Sequence, residues 1–151
     1  MIGDCETAAR VGRDGSIDWL CWPAFDSDAC FAALLGSHQH GRWQIAPAEA
    51  VTKSSRRYWN STLILETRFE TANGTVALID FMPPRGNASD VVRLVRGVSG
   101  RVKLRMELVI RFGFGVDIPW VKRTGAGPLL AICGPRMPVL RPPVPPRRVY
   151  Q

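Results

Sequence analysis

No stretch of the chain approaches the run of about 20 apolar residues that a bilayer-spanning helix requires, which argues against a helical membrane protein. The opening residues "MIGDCETAARVG" are acidic and mixed. They lack the basic and apolar segments of a secretory leader, so a cytoplasmic location is expected. Histidine is scarce: His38 and His40 stand in the turn-like stretch "GSHQHG" with no further ligand nearby, and no metal site is expected. The four cysteines, Cys5, Cys21, Cys30 and Cys133, form no CxxC pair, so they read as free, partly buried thiols. There is no phosphate-binding glycine loop and no Ser-His-Asp set. The motifs therefore imply no cofactor, no metal and no catalytic residue in this chain.

What is present describes a single globular domain. The chain has 151 residues, 46% of them hydrophobic and 22% charged, which suits a packed core and not a disordered segment. The net charge is +7, but Arg136, Arg141, Arg147 and Arg148 supply four of those charges after Pro128, where there is no acid. The body then carries only about +3 and has no aromatic-basic stripe, so nucleic acid is not an expected partner.

Alternation of apolar and polar residues is the strongest pattern. In "RVKLRMELVIRFGF", Val102, Leu104, Met106, Leu108, Ile110, Phe112 and Phe114 fall on one face, as on a long strand over a core. "STLILETRFET" places Leu63, Leu65, Thr67 and Phe69 opposite Glu66, Arg68 and Glu70, and "ANGT" then supplies a hairpin turn at Asn73-Gly74. "VALIDFMPP", "VVRLVRGVSG", "GRWQIAP", "SSRRYW" and "PLLAIC" add strands, and Asp14-Gly15 turns "TAARV" into "IDWLCW". "DACFAALLG" reads as one short helix from Asp28 to Gly36. The expected fold is all-β: an antiparallel two-sheet β-sandwich over residues 1–134, followed by a Pro/Arg-rich tail over 135–151. The tail reads as extended polyproline-type chain, and its composition is also what a shifted reading frame in GC-rich DNA produces.

The acids are scattered. Asp14 is explained by its turn, and Glu66, Glu70 and Glu107 lie on polar strand faces. Asp18, Asp26 and Asp80 sit among apolar residues, where burial and hydrogen bonding are expected. None of them forms the carboxylate pair that glycoside hydrolysis uses.

The blocks "IGDCETAARVGRDGSIDWLCWPAFDSDACFAALLG", "HGRWQIAP", "RRYWNSTLILETRFETANGTVALIDFMPPR" and "IRFGFGVDIPWV" carry a resemblance. In this order and spacing they resemble the N-terminal domain of bacterial glycoside hydrolase family 15 proteins, the glucoamylase and trehalase-like enzymes. The resemblance implies a β-sandwich that supports a helical α/α-barrel. That barrel, which supplies both catalytic glutamates, is expected to lie outside this chain. The implied substrates are α-glucosides such as trehalose or maltooligosaccharides. The expected candidate interface, at the rim of the barrel's pocket, is Trp19, Trp22, Pro23, Phe25 and Asp26, because aromatics give rigid contact area and a carboxylate fixes register. A stand-alone carbohydrate-binding or protein-interaction module is the alternative. The chain departs from the family at Ala24, where Arg is usual, and at Gly113-Phe114, where an acid and a tyrosine are usual. Met1 falls where relatives carry a preceding strand. A sandwich that normally covers a partner is expected to self-associate when alone.

Overall fold

The computed structural model describes residues 1–123, 128–133 and 138–141. The strands in chain order are β1 (Ile2–Gly3), β2 (Ala8–Val11), β3 (Ser16–Cys21), β4 (Ala29–Phe31), β5 (Arg42–Pro47), β6 (Val51–Tyr58), β7 (Leu65–Thr71), β8 (Gly74–Phe81) and β9 (Val92–Gly100). β10 (Leu104–Val109), β11 (Trp120–Arg123), β12 (Leu129–Ile132) and β13 (Val139–Leu140) follow. Every pairing between them is antiparallel. The first sheet runs β1-β2-β3-β5-β10, with β4 also on β3; the second runs β6-β7-β8-β9. A third, small sheet, β11-β12-β13, was not expected; it takes in Val139–Leu140, beyond the boundary expected at residue 134. Residues 135–137 and 142–151 of the expected tail lie outside the described residues.

Alternation produces the sandwich because successive side chains on a strand face opposite ways. Ile2, Ile17, Leu20 and Phe31 of the first sheet pack with Leu65 of the second and with Met82, just after β8. Farther along, Ile45 meets Phe69, Val76 and Leu78. Between the sheets sits a charge pair that alternation also placed inward. The Asp80 and Arg93 side chains are both 0% exposed and 2.8 Å apart. Arg93 also donates to the Gly15 carbonyl at 2.7 Å and to the Trp43 carbonyl, and lies 5.2 Å from the Trp43 ring centroid. One guanidinium thus ties β8 and β9 to β5 and to the β2–β3 turn. That turn requires glycine: Gly15 has φ +77°, and a Cβ there would meet the Ile45 carbonyl oxygen at 2.2 Å.

Several expectations are corrected. "DACFAALLG" is not an α-helix but β4 followed by a 3-10 turn over Ala33–Leu35, which ends at Gly36. Residues 29–32 are buried in succession because β4 pairs with β3, and both of its faces are covered. The strand read from 101–114 is regular only over β10. Beyond it Gly113 (φ +57°), Phe114 (φ +60°) and Gly115 (φ +103°) turn the chain left-handed. Met106 is 39% exposed although it belongs to the apolar set. The β7–β8 turn comprises Ala72-Asn73, one residue earlier than expected, with Gly74 already in the ladder opposite Thr71. Asp80 is buried and paired as expected, but Asp26 is exposed. Glu66, expected on a polar face, is only 2% exposed.

Candidate functional site

The segment Trp22–Asp28 links β3 to β4 and stands out from the sheet. Its backbone is held at several points. The Trp22-Pro23 peptide is cis. Trp22 N–H donates to Asp28 O at 3.3 Å, Ser27 N–H to Ala24 O at 3.1 Å, and Phe25 N–H to Glu6 O at 2.9 Å. Beneath it lies a polar knot around Asp4, whose side chain is fully buried. The Asp4 carboxylate accepts from Thr7 N–H at 2.8 Å, Glu6 N–H at 3.1 Å, Ser89 Oγ at 2.8 Å and Arg85 at 3.0 Å. Arg85 reaches on to Glu6 at 2.9 Å and donates to the Pro23 carbonyl. Burial alone raises the Asp4 pKa. The hydrogen bonds from Ser89, Thr7, Glu6 and Arg85 outweigh it and hold the carboxyl at about 2.

This support presents Phe25, 64% exposed, beside exposed Pro23 and Asp26. Trp22 turns inward and packs on the main core. Trp19 covers a separate cluster of Cys21, Ala29 and Ala32. On its far side Trp19 meets Phe114, with ring centroids 6.1 Å apart and planes tilted by 35°. Phe114 occupies a tight loop closed by paired hydrogen bonds between Phe112 and Asp117, both 2.9 Å. Gly115 packs so closely on the His38–His40 turn that a Cβ there would lie 2.9 Å from His40 Cβ. Leu34 and Leu35, on the 3-10 turn that packs against β3, are 48% and 65% exposed. The expected interface set is therefore divided. Trp19 belongs with Phe114 on one apolar surface; Pro23, Phe25 and Asp26 ride the braced loop; Trp22 anchors that loop.

Sequence reasoning missed Asp4, Arg85 and Ser89, and it marked Phe114 as a departure from the family, not as the partner of Trp19. The Asp-x-x-Thr spacing of "DCET" is the signature of a side chain capping its own turn and could have marked Asp4. Nothing local marks Arg85, far away in sequence. A second missed cluster lies on the outer face of the β6–β9 sheet. There Glu66 accepts from Arg57 at 3.1 Å, Arg96 at 2.7 Å and Trp59 Nε1 at 3.3 Å, with Arg68 at 3.6 Å. Burial opposes ionisation of Glu66, but the hydrogen bonds of Arg57 and Trp59 and the charges of Arg57 and Arg96 lower its pKa below the ordinary value.

These carboxylates are built for structure. A general acid for glycoside cleavage needs a raised pKa and a free face toward the sugar oxygen. Asp4 and Glu66 are shifted the opposite way, and Asp80 is locked to Arg93. Among the described residues no group of three or more His, Cys, Asp or Glu side chains is placed to hold a metal ion. All four cysteines are free, and burial pushes the Cys30 thiol up to about 12. No helix among the described residues is long and apolar enough to cross a membrane.

The sequence profile of a family described as "Trehalase-like, N-terminal" matches residues 1–143. The chain belongs to this trehalase-like N-terminal domain family. Among curated proteins the domain is similar to "Trehalase 1" of Sulfolobus acidocaldarius, 32% identical over 127 residues, covering 84% of this chain and 21% of that protein. The "Trehalase" of Thermoplasma volcanium is 32% identical over 134 residues, covering 84% and 21%. That of Mycolicibacterium smegmatis is 30% identical over 133 residues, covering 76% and 20%. The chain thus spans about a fifth of the length of the curated relatives it matches. No solved structure matches it at a significant level.

Proposed function

We propose that this domain docks on the catalytic domain of a cytoplasmic α-glucosidase of glycoside hydrolase family 15, trehalase-like or glucoamylase-like, and supplies no catalytic carboxylate itself. The observations that carry this reading are the Trp19–Phe114 ring contact, the exposed Leu34 and Leu35 on the 3-10 turn that packs on β3, and the braced loop that presents Phe25. Aromatic side chains on a rigid frame give large contact area at little cost in rotamer freedom. The docked partner is the helical α/α-barrel that carries the family's acid and base glutamates, and trehalose is the first α-glucoside to test.

Two measurements test the proposal. The purified 151-residue chain is expected to release no glucose from trehalose or maltose above the buffer blank; release by the chain alone overturns the non-catalytic assignment. In a full-length relative that carries an aromatic at the position aligned with Trp19, alanine there is expected to lower activity or thermal stability. Neither changing would overturn the docking surface. A second reading, a carbohydrate-binding module, is favoured by Trp120, which is 84% exposed on β11 and offers a flat face to a sugar ring. Saturable heat in a calorimetric titration with maltooligosaccharides would select it.

A further inference from the structure

We propose that β9 is a self-association edge, on which a second copy of this chain adds its own β9 antiparallel to form one continuous sheet across a two-fold axis. Among the described residues β9 ends the second sheet and pairs only with β8, so its other side carries a row of backbone donors and acceptors that another extended strand can satisfy. It is long, nine residues, has no proline, and every residue from 94 to 100 is exposed. Leu94, Val95 and Val98 are 50%, 46% and 43% exposed. Val95 lies opposite Leu78 in the ladder and so faces the first sheet, yet it is uncovered; Met106 on β10 is likewise uncovered. The sandwich is therefore open along this flank. The opposite edge, β6, is guarded by Lys53, Arg56 and Arg57, and Tyr58 there is bonded to Met1.

The strand's sequence is self-complementary in one antiparallel register. A two-fold axis at Val95 sets Val95 against its copy, Leu94 against the stem of Arg96, and Val92 against Val98. The same register sets Gly100 opposite Asp90, which brings Arg101 of each copy beside the Asp90 carboxylate of the other. Asp90 and Arg101 are both exposed. A register one residue farther along would stack Arg96 on Arg96, which like-charge repulsion disfavours. This charge complementarity at both ends, with valine at the centre, selects a second copy over an unrelated strand.

Sedimentation velocity of the full chain across a wide concentration range tests the proposal. The wild type is expected to show a reversible monomer–dimer equilibrium. Arg101→Asp, in an exposed turn, and Val95→Lys, on the axis, are each expected to weaken it by about tenfold or more. Asp90→Arg combined with Arg101→Asp is expected to restore it, because the swapped charges attract again. Phe114→Ser, at the other apolar surface, is expected to leave it unchanged. Circular dichroism reports folding; if Val95→Lys fails to fold, the charge swap alone decides. A wild type that stays monomeric, loss of the dimer in Phe114→Ser, or failure of the charge swap to rescue would each overturn the β9 interface.

Discussion

Arg93→Met is the most informative perturbation of the fold. The substitution removes the guanidinium that lies 2.8 Å from the Asp80 carboxylate, inside a sandwich where both side chains are 0% exposed. It also removes the donors to the Gly15 and Trp43 carbonyls and the contact with the Trp43 ring. Breaking a buried pair on one side strands a charge and costs about 3–5 kcal/mol. Against a typical domain stability of about 5–15 kcal/mol, that is about a fifth of the total or more. At about 2–4 °C per kcal/mol for a chain of this size, Tm falls by roughly 6–20 °C. Urea unfolding followed by circular dichroism measures the change. The double variant Asp80→Leu/Arg93→Met strands no charge and is expected to lose less than Arg93→Met alone. The reasoning is refuted if Arg93→Met loses under about 1 kcal/mol, or if the double variant loses the sum of the two singles.

Two further outcomes follow from the knot beneath the loop. The Asp4 carboxyl is held at about 2, below its ordinary 3.8, so it stabilises the fold above pH about 4 and that contribution is lost as pH falls toward 2. The contribution is on the order of 2–3 kcal/mol, and the gap in urea midpoint between wild type and Asp4→Asn is expected to close over that interval; a gap that stays constant counts against the assignment. Arg85→Met frees the Pro23 carbonyl and is expected to speed chymotryptic cleavage after Phe25 by about tenfold, through a larger open population of the loop. An unchanged cleavage rate would mean that the other hydrogen bonds hold the loop without Arg85.

The sandwich could be read from the sequence because its cause is local. A strand's two-residue period sorts Leu65, Thr67 and Phe69 from Glu66, Arg68 and Glu70 whatever the rest of the chain does. The Asp14-Gly15 turn was legible for the same reason, since a left-handed position selects glycine. "DACFAALLG" was not legible: a short apolar run satisfies a helix and a doubly covered strand equally, and only pairing with β3 decides between them. The orientation of the candidate interface residues was half legible. Aromatic character marked Trp19 and Phe25, but whether each turns inward or outward depends on what the fold stacks against it. Trp22 is drawn into the core, while Phe114, in the loop after β10, comes to rest on Trp19.

The sequence by itself determined the all-β class, the strand-rich body, the free thiols and the kinship with the trehalase-like N-terminal domain, because composition, period and ordered blocks are properties of neighbours along the chain. The tertiary structure alone decided the Asp4–Arg85 knot, the Asp80–Arg93 tie between sheets and the open β9 flank. Each joins or exposes groups whose proximity follows from how the sheets stack, and burial is what turns those groups from solvated charges into structural bonds.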